Sequence, residues 1–276
     1  MITATTSLVA LIGDPVAHSV SPVMHNAAFR ERKLNYTYQA FRVTKEDLAA
    51  AVSGLRGLNV RGANITLPHK KAVIPFLDTV DSPALRIGAV NTIVNENGRL
   101  TGYNTDAAGF LGALRASGFE PQGKKAVVLG AGGAARAVVF ALKDAGVKVN
   151  VINRTFSTAT ALAADTGTEA FEMTDEGYRQ ALEGALLVVN ATSVGLSPDE
   201  ASSPLPSIWL RPSMTVFDTI YRPRHTRLIR EAKAAGCAVI GGLEMLLAQG
   251  ALSFELWTGE PAPREVMSRT AEAALE

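Results

Sequence analysis

Residues 125–138 have the sequence KAVVLGAGGAARAV, in which an apolar strand runs through a glycine turn into a helix of small residues. Gly130 permits a tight turn after the strand, Gly132 lets the backbone approach a pyrophosphate, and Ala135 allows the helix to pack closely on the strand. The first backbone N–H groups of the helix then face the phosphates. The pattern predicts a dinucleotide-binding loop, whose candidate residues are Gly130, Ala131, Gly132, Gly133 and Ala134.

The sequence after this loop favours a nucleotide-binding βαβ unit over a tight turn without a ligand, which is the alternative for the glycine motif alone. A second predicted strand covers residues 148–152. Asn153 and Arg154 follow it, roughly 20 residues past the glycines, where the ribose-reading residue of such units lies. An acidic residue there would accept from the ribose 2′-hydroxyl, whereas Arg154 can pair with a 2′-phosphate. The residue type therefore predicts NADP rather than NAD.

The composition indicates an ordinary soluble globular protein with one large or two smaller domains. Its 276 residues are 47% apolar and 19% charged, with a formal net charge of +1. This balance predicts no nucleic-acid partner and leaves a small-molecule substrate as the expectation. The single cysteine excludes an internal disulfide, and the sequence has neither a signal-like start nor an 18-residue apolar stretch, so we expect a cytoplasmic protein without a membrane partner. The histidines lack metal-ligand spacing, so no metal site is predicted.

The N-terminal part predicts three consecutive strand-helix pairs followed by a hairpin. Strands are expected at 8–13, 36–43 and 64–67, helices from Ser21 onward, at 44–52 and at 69–77, and hairpin strands at 89–94 and 99–103. Ser21 before Pro22 is typical of an N-cap with proline at the first helical position. Asn97-Gly98 is a strong signal for the turn of an antiparallel hairpin.

The rest of the chain predicts a doubly wound domain and closing helices. Further strands are expected at 185–190, 214–218 and 238–240, and further helices at 106–117, 225–235, 243–257 and 265–274. The predicted fold class is α/β, with an N-terminal β-α substrate domain and a Rossmann-like, doubly wound dinucleotide-binding domain. We expect the substrate-binding catalytic domain at 1–105 and 241–276, and the NADP-binding domain at 106–240.

Polar residues follow the first-domain strands, at the edge where a neighbouring nucleotide domain would present its nicotinamide. The candidates are Ser19, Ser21, Asn64, Thr66, Lys70, Asn91, Asn104 and Asp106. Hydroxyl and amide groups suit a substrate with several hydroxyls, and a lysine can hold a carboxylate or pass a proton at a carbonyl. Each residue also has a purely structural alternative, since Ser21 and Asp106 can cap helices and Lys70 can be a solvated charge.

A set of motifs runs in order along nearly the whole chain. They are GDPVAHSVSP at 13–22, NITLPHK at 64–70, GAVNT at 88–92, NTD at 104–106, GAGGAAR at 130–136, NRT at 153–155, NAT at 190–192 and GLEMLLAQGA at 242–251. Together they resemble the shikimate dehydrogenase family. One such match is common by chance, whereas so many in register indicate membership of the superfamily.

The resemblance implies an NADP-dependent oxidoreductase of the shikimate pathway, which reversibly reduces the C3 carbonyl of 3-dehydroshikimate to give shikimate. Lys70 and Asp106 match the family's catalytic pair, in which the lysine delivers a proton to the nascent alkoxide. The residues that match substrate ligands are Ser19, Ser21, Asn64, Thr66, Asn91, Tyr221 and Gln249. Those that match cofactor ligands are Gly130, Ala131, Gly132, Gly133, Ala134, Asn153, Arg154, Thr155 and Thr192.

One position departs from the family pattern at the predicted NADP site. NADP-specific members often carry a second basic residue shortly after the Asn-Arg-Thr motif, and Thr158 stands at that position here. The resemblance therefore implies that NADP is preferred over NAD by a narrower margin.

Two alternatives remain besides a biosynthetic shikimate dehydrogenase. A quinate/shikimate dehydrogenase of the same superfamily would use NAD, and Arg154 argues against it. A catalytically silent, ligand-sensing relative would need neither Lys70 nor Asp106. The sequence is compatible with both a monomer and a homodimer.

Overall fold

The computed structural model describes residues 2–276 and divides the chain into two compact units. Unit 1 comprises the described residues up to Thr105 together with Gln249–Glu276, and unit 2 comprises Asp106–Ala248. Each unit contains one six-stranded sheet and several helices. The predicted α/β fold class is confirmed.

Strands and helices alternate along most of the chain. The strands are β1 (Ser7–Gly13), β2 (Tyr36–Arg42), β3 (Gly62–Ile65), β4 (Thr79–Val80), β5 (Thr92–Glu96), β6 (Arg99–Tyr103), β7 (Lys125–Leu129), β8 (Lys148–Ile152), β9 (Glu169–Phe171), β10 (Leu187–Asn190), β11 (Thr215–Asp218) and β12 (Ala238–Ile240). The α-helices are α1 (Ser21–Glu31), α2 (Leu48–Gly57), α3 (Ser82–Ile87), α4 (Asp106–Ala116), α5 (Gly133–Asp144), α6 (Phe156–Thr166), α7 (Asp175–Leu182), α8 (Arg227–Ala234), α9 (Gly242–Thr258) and α10 (Arg264–Ala273).

Unit 1 is built on a mixed sheet with strand order β2-β1-β3-β5-β6-β4. β1 pairs in parallel with β2 and β3, whereas β5 pairs antiparallel with β3 and β6. The predicted hairpin is confirmed, and Asn97 and Gly98 have φ values of 55° and 88°, as a two-residue hairpin turn requires. The register sets Asn64 of β3 opposite Thr92 of β5, which places two polar residues side by side.

Unit 2 is built on a parallel sheet with strand order β9-β8-β7-β10-β11-β12. β7 is buried on both faces, because Ala126 and Val128 pack into one apolar core and Val127 and Leu129 into another. The strand order reverses between β7 and β10, and doubly wound sheets bind ligands at this switch point. The glycine-rich loop at Gly130 lies directly after β7.

The prediction of an α-helix at 69–77 is wrong. These residues form turns and a short 3₁₀ helix at Ile74–Phe76. An α-helix would need Lys70 O to accept from Ile74 N, whereas it accepts from Val90 N at 2.8 Å. The tertiary contact with the segment before β5 therefore decides the local conformation.

Two predicted helix starts also need correction. The helix predicted at 44–52 is α2 and begins at Leu48, because Thr44 Oγ1 donates to Asp47 Oδ2 (2.9 Å) instead of capping a helix. The N-cap of α1 is Val20, without a side-chain cap, so the predicted N-cap role of Ser21 is wrong while Pro22 does lie in the first turn.

Five elements, β4, α3, α6, β9 and α7, were not predicted. Sequence signals for two of them exist in the caps. Asp81 accepts from Ala84 N (2.9 Å) at the start of α3, and Thr174 accepts from Gly177 N (3.1 Å) at the start of α7. Helices α3 and α7 are too short to show a clear apolar periodicity, so periodicity does not predict them.

Residues 241–248 lie in unit 2, whereas the sequence places them in the substrate domain. Met245 is buried in the apolar core that β7 and α5 share. A Cβ on Gly242 would overlap Thr219 O, so the start of α9 packs tightly on the end of β11. Helix α9 thus begins in unit 2 and continues into unit 1.

None of the helices within residues 2–276 combines the length and apolar character needed to cross a membrane. In the same part of the chain, no group of three or more His, Cys, Asp or Glu side chains is arranged to hold a metal ion.

His25 of α1 is fully buried in an aromatic group of unit 1. Its ring stacks on Tyr38 with centroids 4.6 Å apart and lies edge-on to Trp257 at 5.3 Å. Within residues 2–276, neither ring nitrogen has a hydrogen-bond partner. Burial lowers the pKa of His25 from 6.5 to about 3.

We expect His25 to make the chain sensitive to acid. Between pH 6.5 and about 3 the unfolded chain binds a proton at His25 that the folded chain does not. The free energy of unfolding therefore decreases as the pH is lowered through this range. One pKa unit is worth about 1.4 kcal/mol, so His25→Phe should reduce the loss between pH 7 and pH 5 by about 2 kcal/mol. Urea unfolding at several pH values measures this. His225 is exposed, so His225→Gln should leave the loss of unfolding free energy between pH 7 and pH 5 unaltered. An equal loss in His25→Phe and in the unaltered chain would contradict the role given to His25.

Candidate functional site

A tight turn after β3 carries Thr66 and Lys70. Val90 N donates to Lys70 O (2.8 Å), which ties the turn to the segment before β5. Buried His69 anchors the same turn, because its Nε2 lies 2.8 Å from Val43 O. Lys70 is half-buried, so its backbone is held at the carboxyl end of β3 while its side chain keeps access to solvent.

Ser19, in the loop after β1, and Ser21, the first residue of α1, are predicted to bind a carboxylate. This loop begins at Gly13, where a Cβ would overlap Thr66 Cγ2 and lie 2.9 Å from Leu67 O. Glycine therefore allows the end of β1 to pack against the turn that carries Lys70. Ser19 Oγ accepts from Ser21 N (3.2 Å), which keeps the two serines together.

Three amide side chains predicted to bind substrate hydroxyls form one hydrogen-bonded group in unit 1. Asn91 Oδ1 accepts from Thr105 N (2.8 Å), and Asn91 Nδ2 donates to Gln249 Oε1 (3.3 Å). Asn64 Nδ2 donates to Asn91 O (3.1 Å), and Asn64 Oδ1 accepts from Tyr38 OH (2.8 Å). A backbone group fixes one end of each asparagine, so the donors and acceptors point in defined directions.

Hydroxyl groups that were not predicted complete this group, which we call the amide cluster: Tyr38, Asn64, Asn91, Thr92, Thr105, Gln249 and Ser253. Thr92 and Thr105 lie inside the GAVNT and NTD motifs, next to predicted residues. Ser253 lies four residues after Gln249 in α9, a spacing that puts both on one helix face. Nothing in the sequence singled out Tyr38.

Asn104 and Asp106 flank Thr105 at the end of unit 1. Asn104 Nδ2 donates to Ala89 O (2.9 Å), which is the turn-closing role that its residue type allows. Asp106 is 4% exposed and is the first residue of α4, in unit 2. A carboxylate in a first helical turn also stabilises the helix, so this position suits both a catalytic and a structural role.

The glycine-rich loop of unit 2 has the geometry of a phosphate cradle. Gly130 has a φ of 115°, and a Cβ there would lie 2.9 Å from Ala191 O. A Cβ on Gly132 would meet nothing within 4 Å among the described residues, so the space in front of α5 is open. Ala135 is fully buried, which lets α5 pack on β7. The N–H groups of Gly133 and Ala134 open α5, where an anion is favoured.

The loop after β8 carries the residues predicted to bind the 2′-phosphate. Asn153 Nδ2 donates to Thr155 O (2.9 Å) and to Thr158 Oγ1 (2.6 Å). Thr158 thus closes this loop. Arg154 is exposed at its tip. The loop offers one guanidinium and a threonine hydroxyl for a phosphate.

Thr192 and Tyr221 lie on loops that share a buried polar anchor. Thr192 Oγ1 donates to Asn190 Oδ1 (2.7 Å), and Asn190 Nδ2 donates to Asp218 Oδ1 (2.9 Å). Thr226 Oγ1 donates to Asp218 Oδ2 (2.6 Å), which ties the two ends of the loop containing Tyr221. Burial raises the pKa of Asp218, although the hydrogen bonds it accepts oppose the rise.

Family profiles match most of the chain. The profile "Shikimate dehydrogenase substrate binding domain" matches residues 11–93, "Shikimate / quinate 5-dehydrogenase" matches 113–196, and "Shikimate 5'-dehydrogenase C-terminal domain" matches 242–272. The "Shikimate dehydrogenase (NADP(+))" of Moorella thermoacetica is 53% identical over 279 aligned positions, which cover 99% of this chain and 95% of the relative. The chain belongs to the shikimate dehydrogenase family. The relative from Symbiobacterium thermophilum has the same name and is 48% identical over 98% of this chain and 95% of its own length.

Solved structures of the family have the same fold. A shikimate dehydrogenase in complex with NADP+ superposes with a TM-score of 0.94 at 39% identity, covering 100% of this chain and 98% of that one. The Thermus thermophilus enzyme in complex with NADP(H) and shikimate has a TM-score of 0.89 at 47% identity, covering 98% and 100%. The predicted family is confirmed. The roles of individual residues stay predictions.

Proposed function

We propose that this chain catalyses the reversible, NADP-dependent reduction of 3-dehydroshikimate to shikimate, as an oxidoreductase of the shikimate pathway. The observation that carries the proposal is the 53% identity, over 99% of the chain, to a relative named "Shikimate dehydrogenase (NADP(+))". The amide cluster supports it, because a ligand with several hydroxyls requires oriented donors and acceptors. Its partner is the small-molecule substrate.

In this proposal unit 1 binds the substrate and supplies the acid. Ser19 and Ser21 donate to the carboxylate, with Tyr221 of unit 2 as a further donor. Asn64, Thr66, Asn91 and Gln249 hold the ring hydroxyls. Lys70 gives a proton to the oxygen at C3, and Asp106 accepts from a neighbouring hydroxyl. A positioned proton donor of this kind contributes about 10² to 10⁴ in rate.

The residues of unit 2 fit NADP. Gly130 and Gly132 leave room for the pyrophosphate in front of α5, and Arg154 with Thr155 suits the 2′-phosphate. Thr192 follows β10 as the glycine-rich loop follows β7, so we expect both at the carboxyl edge of this parallel sheet. When bound, NADPH supplies the hydride for the carbonyl carbon.

The proposal is tested by initial rates of cofactor reduction, followed by absorbance, with shikimate or quinate paired with NADP or NAD. We expect activity mainly with shikimate and NADP. Strong activity with quinate or NAD would favour the quinate/shikimate dehydrogenase alternative. NADP binding without turnover would favour the silent, ligand-sensing relative.

Arg154 should set the preference for NADP. A charge-assisted hydrogen bond is worth about 1.5–3 kcal/mol, so Arg154→Ser should raise the KM for NADP roughly 10- to 100-fold and leave the KM for NAD unchanged. Steady-state kinetics with both cofactors measure this. Arg115→Ser, which removes another exposed arginine of unit 2, should change neither constant. An equal effect of Arg154→Ser on both cofactors would contradict the phosphate-binding role.

A further inference from the structure

Thr92 lies between two amides of the amide cluster and is itself fully buried. Asn64 Nδ2 donates to Thr92 Oγ1 (3.2 Å), and Thr92 Oγ1 donates to Asn91 Oδ1 (3.1 Å). Its side chain is 0% exposed, so a ligand cannot reach it without displacing its neighbours. None of the proposed contacts with substrate or cofactor includes Thr92.

The position of Thr92 follows from the sheet. It is the first residue of β5 and lies opposite Asn64 of β3 in the antiparallel register. Asn91 precedes it in the chain, so one strand start brings the hydroxyl within reach of both asparagines. Only a group that accepts and donates at once can join an amide N–H to an amide oxygen, and a hydroxyl does both.

A second hydroxyl links Thr92 to α9. Thr92 Oγ1 and Ser253 Oγ lie 2.8 Å apart, within hydrogen-bond distance, and Ser253 Oγ lies 3.0 Å from Gln249 O. Ser253 Oγ also accepts a hydrogen bond from Asn64 Nδ2 (3.1 Å). The third amide residue, Gln249, is thereby coupled through the helix backbone to the hydroxyl between the first two.

We propose that Thr92 is a positioning residue that, together with backbone groups, holds Asn64 and Asn91 in their orientation toward the substrate hydroxyls, an inference that rests on the proposed function. An amide that turns over exchanges its donor for its acceptor while keeping nearly the same shape. Backbone groups hold one end of each asparagine, and Thr92 holds the two side chains to each other. Loss of the hydroxyl loosens both amides together.

Thr92→Val keeps the shape of the side chain and removes the hydroxyl. Since the amides hold the substrate before and during the reaction, we expect KM to change more than kcat. The KM for shikimate should rise about fivefold to tenfold, the equivalent of roughly one hydrogen bond, with kcat changed less than about twofold. The KM for NADP should stay unchanged. Thr92→Ser keeps the hydroxyl and should restore the KM for shikimate.

Thr258→Val is the matched control. Thr258 lies on α9, where its hydroxyl donates to Phe254 O (2.8 Å), the same type of bond that Ser253 makes to Gln249 O, and it lies outside the amide cluster. It should leave both KM values unaltered. Thermal unfolding of each variant separates a loss of stability from a loss of substrate affinity.

Several outcomes would overturn the inference. They are an unchanged KM for shikimate in Thr92→Val, equal effects in Thr92→Val and Thr258→Val, and a Thr92→Ser variant as weak as Thr92→Val. If Thr92→Val does not fold, Thr92→Cys replaces it, with the same expected rise in KM and the same contradicting result. Absence of shikimate oxidation in the unaltered chain would overturn the proposed function itself and this inference with it.

Discussion

Lys70→Ala should lower kcat by about 10² to 10⁴, with little change in the KM for shikimate, because a positioned proton donor acts mainly in the transition state. The turn that holds Lys70 explains why the effect should be specific. Val90 N and the buried His69 fix the backbone on both sides of it independently of the lysine side chain. The fold of the turn should therefore survive the substitution, and steady-state kinetics should report the loss of the amine alone.

The next residue offers a close control for Lys70. Lys71 is exposed in the same turn and carries the same charge. Substitutions at exposed positions usually change stability little, so Lys71→Ala should leave kcat within about twofold of the unaltered chain. Near-normal turnover in Lys70→Ala would refute the catalytic role. Equal losses in both variants would indicate that the turn needs its net charge and not one positioned amine.

Asp106→Asn should also lower kcat by about 10² or more, because the amide keeps the size of the side chain but loses the charge that, in the proposed function, holds a substrate hydroxyl. Asp106 is almost fully buried at the first residue of α4, and asparagine has nearly the same size and shape, so the exchange should change the packing little. The measurement is kcat with shikimate and NADP, together with the midpoint of thermal unfolding.

Asp175→Asn separates this role from helix stabilisation. Asp175 is the first residue of α7, where a carboxylate interacts with the helix dipole as it does at Asp106. Such an interaction is worth about 0.3–1 kcal/mol at an exposed position, so Asp175→Asn should lose about that much stability and no turnover, whereas Asp106→Asn should lose turnover. An unchanged rate in Asp106→Asn would reduce Asp106 to a residue that stabilises the start of α4.

Several site features could be predicted because each depends on a local pattern. Gly130 and Gly132 are predicted from their spacing after an apolar strand, and the Asn97-Gly98 turn from two residue types that tolerate positive φ. Resemblance to a family supplied Tyr221 and Gln249, which composition and periodicity had not singled out.

Other features could not be predicted because they depend on contacts between distant segments. The helix expected at 69–77 fails since Lys70 O bonds to Val90 N, twenty residues later in the chain. The buried state of His25 follows from Trp257 and Tyr38 packing against it. The sequence shows at Thr158 only that a basic residue is absent, whereas the structure shows that its hydroxyl accepts from Asn153 Nδ2 and so helps to shape the loop.

The sequence by itself determined the α/β class, the glycine loop after a buried strand and the family, because these depend on short-range order: side-chain periodicity, turn residues and motif spacing. Only the tertiary structure decided how Asn64, Asn91 and Gln249 are oriented. Their amides lie on β3, before β5 and on α9, and hydrogen bonds through Thr92 and Thr105 join them. An amide's orientation is set by the partners that surround it, and those partners meet only when the sheet and the helix have packed together.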